Sequence, residues 1–169
     1  MKVIKLIFFQ EIDEKSSLRW YRSFKDSTFG EKYLFGMSDF YGARLKFLAR
    51  VGCLGINENV RRWGKSDGTC ELCNSEEETL LHFLFTCPIS NFIRVKHYVK
   101  LEERLKESEQ DFVWQKFVSG SLLTKLNMFL GSGSKYYGGE IEGFFDKSCK
   151  EYLVETWQFR QLVLDGPAF

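Results

Sequence analysis

The sequence predicts a mainly α-helical chain: a small helical domain carrying one compact Cys3His knuckle built from a loop and a helix. Three observations predict it. Apolar residues recur at intervals of three and four along several stretches, the period of helices that bury one face. Only two prolines, Pro88 and Pro167, occur in 169 residues, so little in the backbone forbids helices. Cys70, Cys73, His82 and Cys87 crowd into one short segment. No strand-like alternation and no internal repeat stands out.

From Lys2 to about Phe24 the pattern suits one helix, or two short ones split near Ser16-Ser17. Phe8, Ile12, Leu18 and Trp20 are its apolar anchors. Glu31 to Val51 reads as an amphipathic helix with Leu34, Met37, Tyr41, Leu45 and Leu48 inward and Arg44, Lys46 and Arg50 on the polar side. Gly36 and Gly42 weaken it. Gly52 to Gly68 is turn-rich and reads as an irregular connector, with a short turn of helix near Asn57 to Trp63. After Pro88, Ile89 to Lys106 is helical again, with Phe92, Val95, Tyr98 (or Val99) and Leu101 along one side. Two shorter helices follow, around Asp111 to Val118 and Ser121 to Leu130. The clearest break is the glycine-serine stretch Gly131 to Gly139. A long final helix then runs from about Glu140 to Leu164, burying Ile141, Phe145, Cys149, Tyr152, Leu153 and Thr156. Gly166-Pro167 ends it. The pieces group as N-terminal helices (1–52), a knuckle with a basic connector (53–94) and C-terminal helices (95–169), within one compact domain.

Hydrophobic residues make up 44%, including seventeen Phe, enough to build a core. Net charge is +1, which by itself points to neither nucleic acid nor membrane. Its distribution is uneven, however. Tyr41 to Lys65 carries Arg44, Lys46, Arg50, Arg61, Arg62 and Lys65 against Glu58 alone, while Ser66 to Cys87 carries five acids and no base. A basic face beside an acidic knuckle suits a phosphate backbone on one side; solvated surface with internal pairing is the plainer alternative. Five cysteines, an odd count with a CxxC pair, argue against a disulfide framework and for a reducing, intracellular compartment, nuclear or cytoplasmic. The opening apolar run is followed at once by Glu11, Asp13 and Glu14, so it makes a poor signal peptide. No apolar stretch is long enough to span a membrane.

The chemistry sits in Cys70-x2-Cys73-x8-His82-x4-Cys87. Three thiolates and an imidazole are the tetrahedral donor set of structural zinc. Ser75-Glu-Glu-Glu78 reads as a capping box for a helix from about Glu76, with glutamates in the first turn where the helix dipole favours anions. His82 then falls near the second turn. Cys87, five residues on, would lie about 140° away round an ideal helix, so the last turn must distort before Pro88. Cys53 and Cys149 stand among apolar residues and read as core, and His97 reads as exposed. Enzyme readings fare poorly. Gly131-Ser-Gly-Ser-Lys135 lacks phosphate-loop spacing, His82 is better used as a ligand than as a base, and four protein ligands leave a zinc ion no open position.

These residues also resemble a known family. Arg50-Val-Gly-Cys-Leu-Gly-Ile-Asn57, Arg61, Cys70-Glu-Leu-Cys73, Glu78-Thr-Leu-Leu-His82-Phe-Leu-Phe-Thr-Cys87-Pro88 and Arg94 look like the zinc-binding region near the C-terminus of reverse transcriptases from non-LTR (LINE-like) retrotransposons. The best-matched stretch is Arg44 to Arg94; Ser17 to Arg22, Glu31 to Leu34 and Trp157 to Arg160 are similar as well. The resemblance implies a region downstream of the polymerase that helps hold RNA or target DNA. No polymerase-type acid pair and no nuclease-type Pro-Asp setting accompanies it. The expectation is therefore a non-catalytic, zinc-stabilised nucleic-acid-binding domain. In it Arg44, Lys46, Arg50, Arg61, Arg62 and Lys65 contact phosphates and Trp63 or nearby aromatics stack on bases. The alternatives are a protein-interaction or structural zinc module and a mobile-element remnant without function.

Overall fold

The computed structural model describes residues 11–12, 14–15, 18, 20–25, 34, 39–131, 137 and 139–166. Seven α-helices are defined among them: α1 (Tyr21–Phe24), α2 (Phe40–Arg50), α3 (Asn57–Val60), α4 (Asn91–Glu107), α5 (Asp111–Ser119), α6 (Leu122–Leu130) and α7 (Gly139–Asp165). A 3-10 turn, Arg61–Trp63, extends α3, and a π-helical turn occupies His82–Thr86. The described residues contain no strand, only one antiparallel bridge between Thr69 and Glu77.

Helix ends follow local chemistry. Asp39 caps α2 by accepting the Gly42 N–H, and the Ser121 hydroxyl accepts the Thr124 N–H at the start of α6. Gly166, at φ +73°, follows the last residue of α7 in the left-handed conformation that suits glycine there. The expected helices around 57–63, 89–106, 111–118, 121–130 and 140–164 all exist. The one expected over 2–24 falls largely outside the described residues, as do Phe8 and Met37; of the one expected over 31–51, 31–33 and 35–38 lie outside them and 40–50 is helical.

The long α7 is the spine, packed against α2, α4 and α6. Its stripe lies inward as expected: Ile141, Phe145, Cys149, Tyr152, Leu153 and Thr156 are all buried. Around it Trp114, Phe117, Phe129, Tyr137 and Phe145 form a continuous aromatic group in which stacked, tilted and edge-to-face pairs all occur. One apolar cluster draws on Phe24, on Leu54 and Ile56 of the connector, on Leu80 to Phe85, and on all the C-terminal helices.

Two expected faces are rotated. On α4 the buried residues are Ile93, Arg94, His97, Leu101 and Leu105, whereas Phe92, Val95 and Val99 are exposed. On α2 Tyr41 is exposed, and Lys46 and Arg50 point inward with Leu45 and Ala49. Gly42 explains the close approach: a Cβ there would stand 2.8 Å from Cβ of Lys150 on α7. His97 is buried rather than exposed, because Glu155 accepts its Nε2–H at 2.8 Å and Tyr152 packs edge-on against its ring. Cys149 is core, as expected; Cys53 is exposed instead. No helix among the described residues is long and apolar enough to cross a membrane.

Candidate metal centre

The chain between Gly68 and Glu78 folds back on itself. Glu78 N–H donates to the Gly68 carbonyl and Cys70 N–H to the Glu76 carbonyl, both at 2.8 Å. The CxxC turn closes this hairpin with Asn74 N–H bonded to the Cys70 carbonyl and Asn74 itself at φ 52°. Asparagine is among the few residues that take this conformation readily. Gly68 sits at φ +98°, and a Cβ there would lie 2.8 Å from the Arg61 guanidinium.

This hairpin overrules the expected capping box. Residues 76–78 are paired across the hairpin, so no helix starts at Glu76. The Ser75 hydroxyl donates to Cys73 Sγ instead, at 3.2 Å. Helix begins at Leu80, and the Thr79 hydroxyl accepts the His82 N–H. His82 therefore lies in the first turn rather than the second. The expected distortion takes a definite form: Cys87 N–H bonds to the His82 carbonyl at 2.9 Å, a five-residue step that widens the turn. That widening carries Cys87 back toward His82.

As a result the ligand atoms of Cys70, Cys73, His82 and Cys87 all lie within 4.8 Å of one another. Cys70 and Cys87 sulfurs are 4.0 Å apart, and Cys73 Sγ is 3.4 Å from His82 Nε2. A tetrahedron with Zn–S of about 2.3 Å and Zn–N of about 2.0–2.1 Å has edges of roughly 3.5–3.8 Å, so the donor set fits zinc in kind and in spacing. Glu76 accepts the His82 Nδ1–H at 2.9 Å, which leaves Nε2 facing the sulfurs as the free donor. Burial pushes the Cys70 thiol up to about 12. At Cys73 burial acts the same way, but hydrogen bonds from the Ser75 hydroxyl and backbone outweigh it and bring that thiol down to about 6. Cysteine binds metal as thiolate, so loading such a site expels protons.

Side chains without ligand atoms hold the centre in place. Glu78, which is 0% exposed, accepts two hydrogen bonds from Arg160 of α7 at 2.7 and 2.8 Å and one from the Asn57 N–H at 2.6 Å. Glu58 accepts the Leu80 N–H, Asn57 Nδ2 donates to the Thr69 carbonyl, and Arg94 donates to the Cys87 carbonyl at 3.2 Å. Of these, Asn57, Glu78, Arg94 and Arg160 fall within the stretches that carry the resemblance, and Glu78 reads as a capping residue, but the sequence marks none of them as a support for the centre. No local pattern marks Glu78 or Arg160 as partners.

The six basic residues do not form one surface. Lys46 is buried against Asp146 at 2.7 Å. Arg50 is buried among Tyr21 and Phe24 and donates to the carbonyls of Leu130 and Phe24. Neither can reach a phosphate, which corrects the expectation for both. Arg44, Arg61, Arg62 and Lys65 are exposed. Arg61 pairs with Glu77 of the hairpin at 2.6 Å.

Fold and site together define a Cys3His knuckle, seated on a helical bundle, whose four side chains could hold a metal ion and whose donor set fits zinc. A family model described as zinc-binding in reverse transcriptase matches residues 43–93, less than a third of the chain but all four candidate ligands. No curated protein and no solved structure matches the chain.

Proposed function

We propose that the chain is a non-catalytic, zinc-stabilised nucleic-acid-binding domain of the kind that follows the polymerase in LINE-like reverse transcriptases. The observation that carries this reading is the turn beside the knuckle. Arg62, Trp63 and Lys65 are exposed together there, Trp63 at 61%, and the Arg61–Glu77 ion pair fastens the turn to the hairpin. An exposed indole between cations suits base stacking combined with phosphate contact. Arg44, on the exposed side of α2, adds a fourth cation. The family description supports the same reading.

The test is a gel shift with single-stranded RNA and duplex DNA at two salt concentrations. With three or four phosphates neutralised, affinity should fall roughly 20- to 150-fold between about 50 and 200 mM salt. Arg62→Glu combined with Lys65→Glu should remove the shift while leaving metal content intact. Binding indifferent to salt, or unchanged in that double variant, would refute the assignment. A second reading, a protein-interaction module, is favoured by Phe92, Val95 and Val99 lying exposed along α4. It gains if no nucleic acid shifts at either salt concentration.

A further inference from the structure

The apolar group around the ligand loop is small: Cys70, Leu72 and Cys87 form a buried cluster apart from the main one, and Phe159 and Leu164 of α7 pack against it. Trp157 of the same helix meets Phe83 edge-to-face at 6.1 Å, and the Tyr152 hydroxyl donates to the Leu84 carbonyl. The Arg160–Glu78 pair lies among these contacts. It is bidentate and buried on both sides, and it joins residues 82 positions apart. The main chain of Glu78 is itself one rung of the hairpin that carries Cys70 and Cys73.

We infer that Arg160 and Glu78 are positioning residues for the metal centre, so that zinc loading and docking of the last turns of α7 are one coupled equilibrium. The inference rests on the metal reading of the four ligands. Its physical basis is that Glu78 has no water to turn to. Without Arg160 its carboxylate is a buried, under-compensated charge, and relief comes by moving the hairpin strand that holds the ligands. Coupling of this kind is reciprocal: whatever Arg160 contributes to metal affinity, metal contributes to helix docking. The centre then depends on residues well beyond the matched stretch 43–93.

The experiment titrates Co(II) and then Zn(II) into the reduced full chain, following the cobalt ligand-field spectrum and competition with a chelator. Arg160→Gln and Glu78→Gln should each weaken metal binding about tenfold or more, as loss of supporting hydrogen bonds around metal ligands does, and alter the cobalt spectrum. Leu126→Ala, in the core of α6, should lower stability and leave both readouts unchanged. Wild-type affinity and spectrum in the two charge variants would overturn the inference; so would equal weakening in all three, which would mean general destabilisation. A wild-type chain that takes up no metal overturns the metal reading, and this inference with it. Hydrogen exchange of the unmutated protein keeps the test open should the variants fail to fold. On chelation, amides of residues 156–165 should lose protection together with those of 68–87 while α6 stays protected. Retained protection at 156–165 would overturn the coupling.

Discussion

The helical bundle buries a broad apolar cluster around Phe117, Phe129 and Tyr152 that also takes in Leu80, Phe83, Leu84 and Phe85 of the knuckle helix, whereas the ligand loop has only a small apolar group of its own, Cys70 and Leu72 with Cys87, leaning on the edge of α7. At roughly 25 cal/mol per Å² of apolar surface, the first supports a fold and the second does not. What the knuckle has in place of apolar area is a converged donor set and a group of buried hydrogen bonds. Bundle and knuckle should therefore respond to different insults, one to cavities and the other to loss of metal.

Chelation separates them most sharply. Structural zinc supplies apparent binding energies of about 10–16 kcal/mol near neutral pH, so metal removal should abolish amide protection across the hairpin and the π turn. Most of the far-UV helical signal should persist, carried by α4 to α6 and the first turns of α7. Collapse of the whole signal would mean that the bundle cannot stand alone, and the contrast would fail. The converse lesion is Phe117→Ala, a fully buried ring in the aromatic group. It should cost about 3–5 kcal/mol in chemical denaturation with unchanged metal stoichiometry. Cys149→Ser should act likewise but more weakly, placing a hydroxyl in an apolar site for about 1–3 kcal/mol, again with no loss of metal.

The smallest effect concerns Asp146, whose carboxylate lies between Lys46 and Lys150 at 2.7 and 2.6 Å. Burial opposes its ionisation, but the two ammonium groups outweigh that and hold it below the usual carboxylate range. A folded-state value below the unfolded one, about 3.9, gives stability that is complete above that pH and lost as pH falls through the folded value. Asp146→Asn should thus be less stable than wild type at neutral pH. The gap should close in strong acid. A gap that widened on acidification would contradict the ion-pair account.

What was legible in the sequence follows from the range of the interactions involved. The four ligands and the stop at Pro88 are local, and spacing alone places them. The stripe of α7 is equally local, because one strong period repeats over many turns. The start of the knuckle helix was not legible. Ser75 and Glu78 satisfy the cap pattern, yet pairing of 76–78 with 68–70 uses that backbone first. Nor could the buried charges be read: Lys46, Arg50, Glu78, His97 and Arg160 resemble surface residues until their partners arrive from 26 to 100 positions away. On α4 the period was right and its phase wrong, since aromatic and β-branched residues occur on both sides and only the position of α7 decides which side is inner.

The most direct measurement is metal content by elemental analysis of the chain purified under reducing conditions without added metal, alongside Cys73→Ser. One zinc per wild-type chain and almost none in the variant is the expected result. Reduced, folded wild-type protein holding no stoichiometric metal would contradict the account at its root.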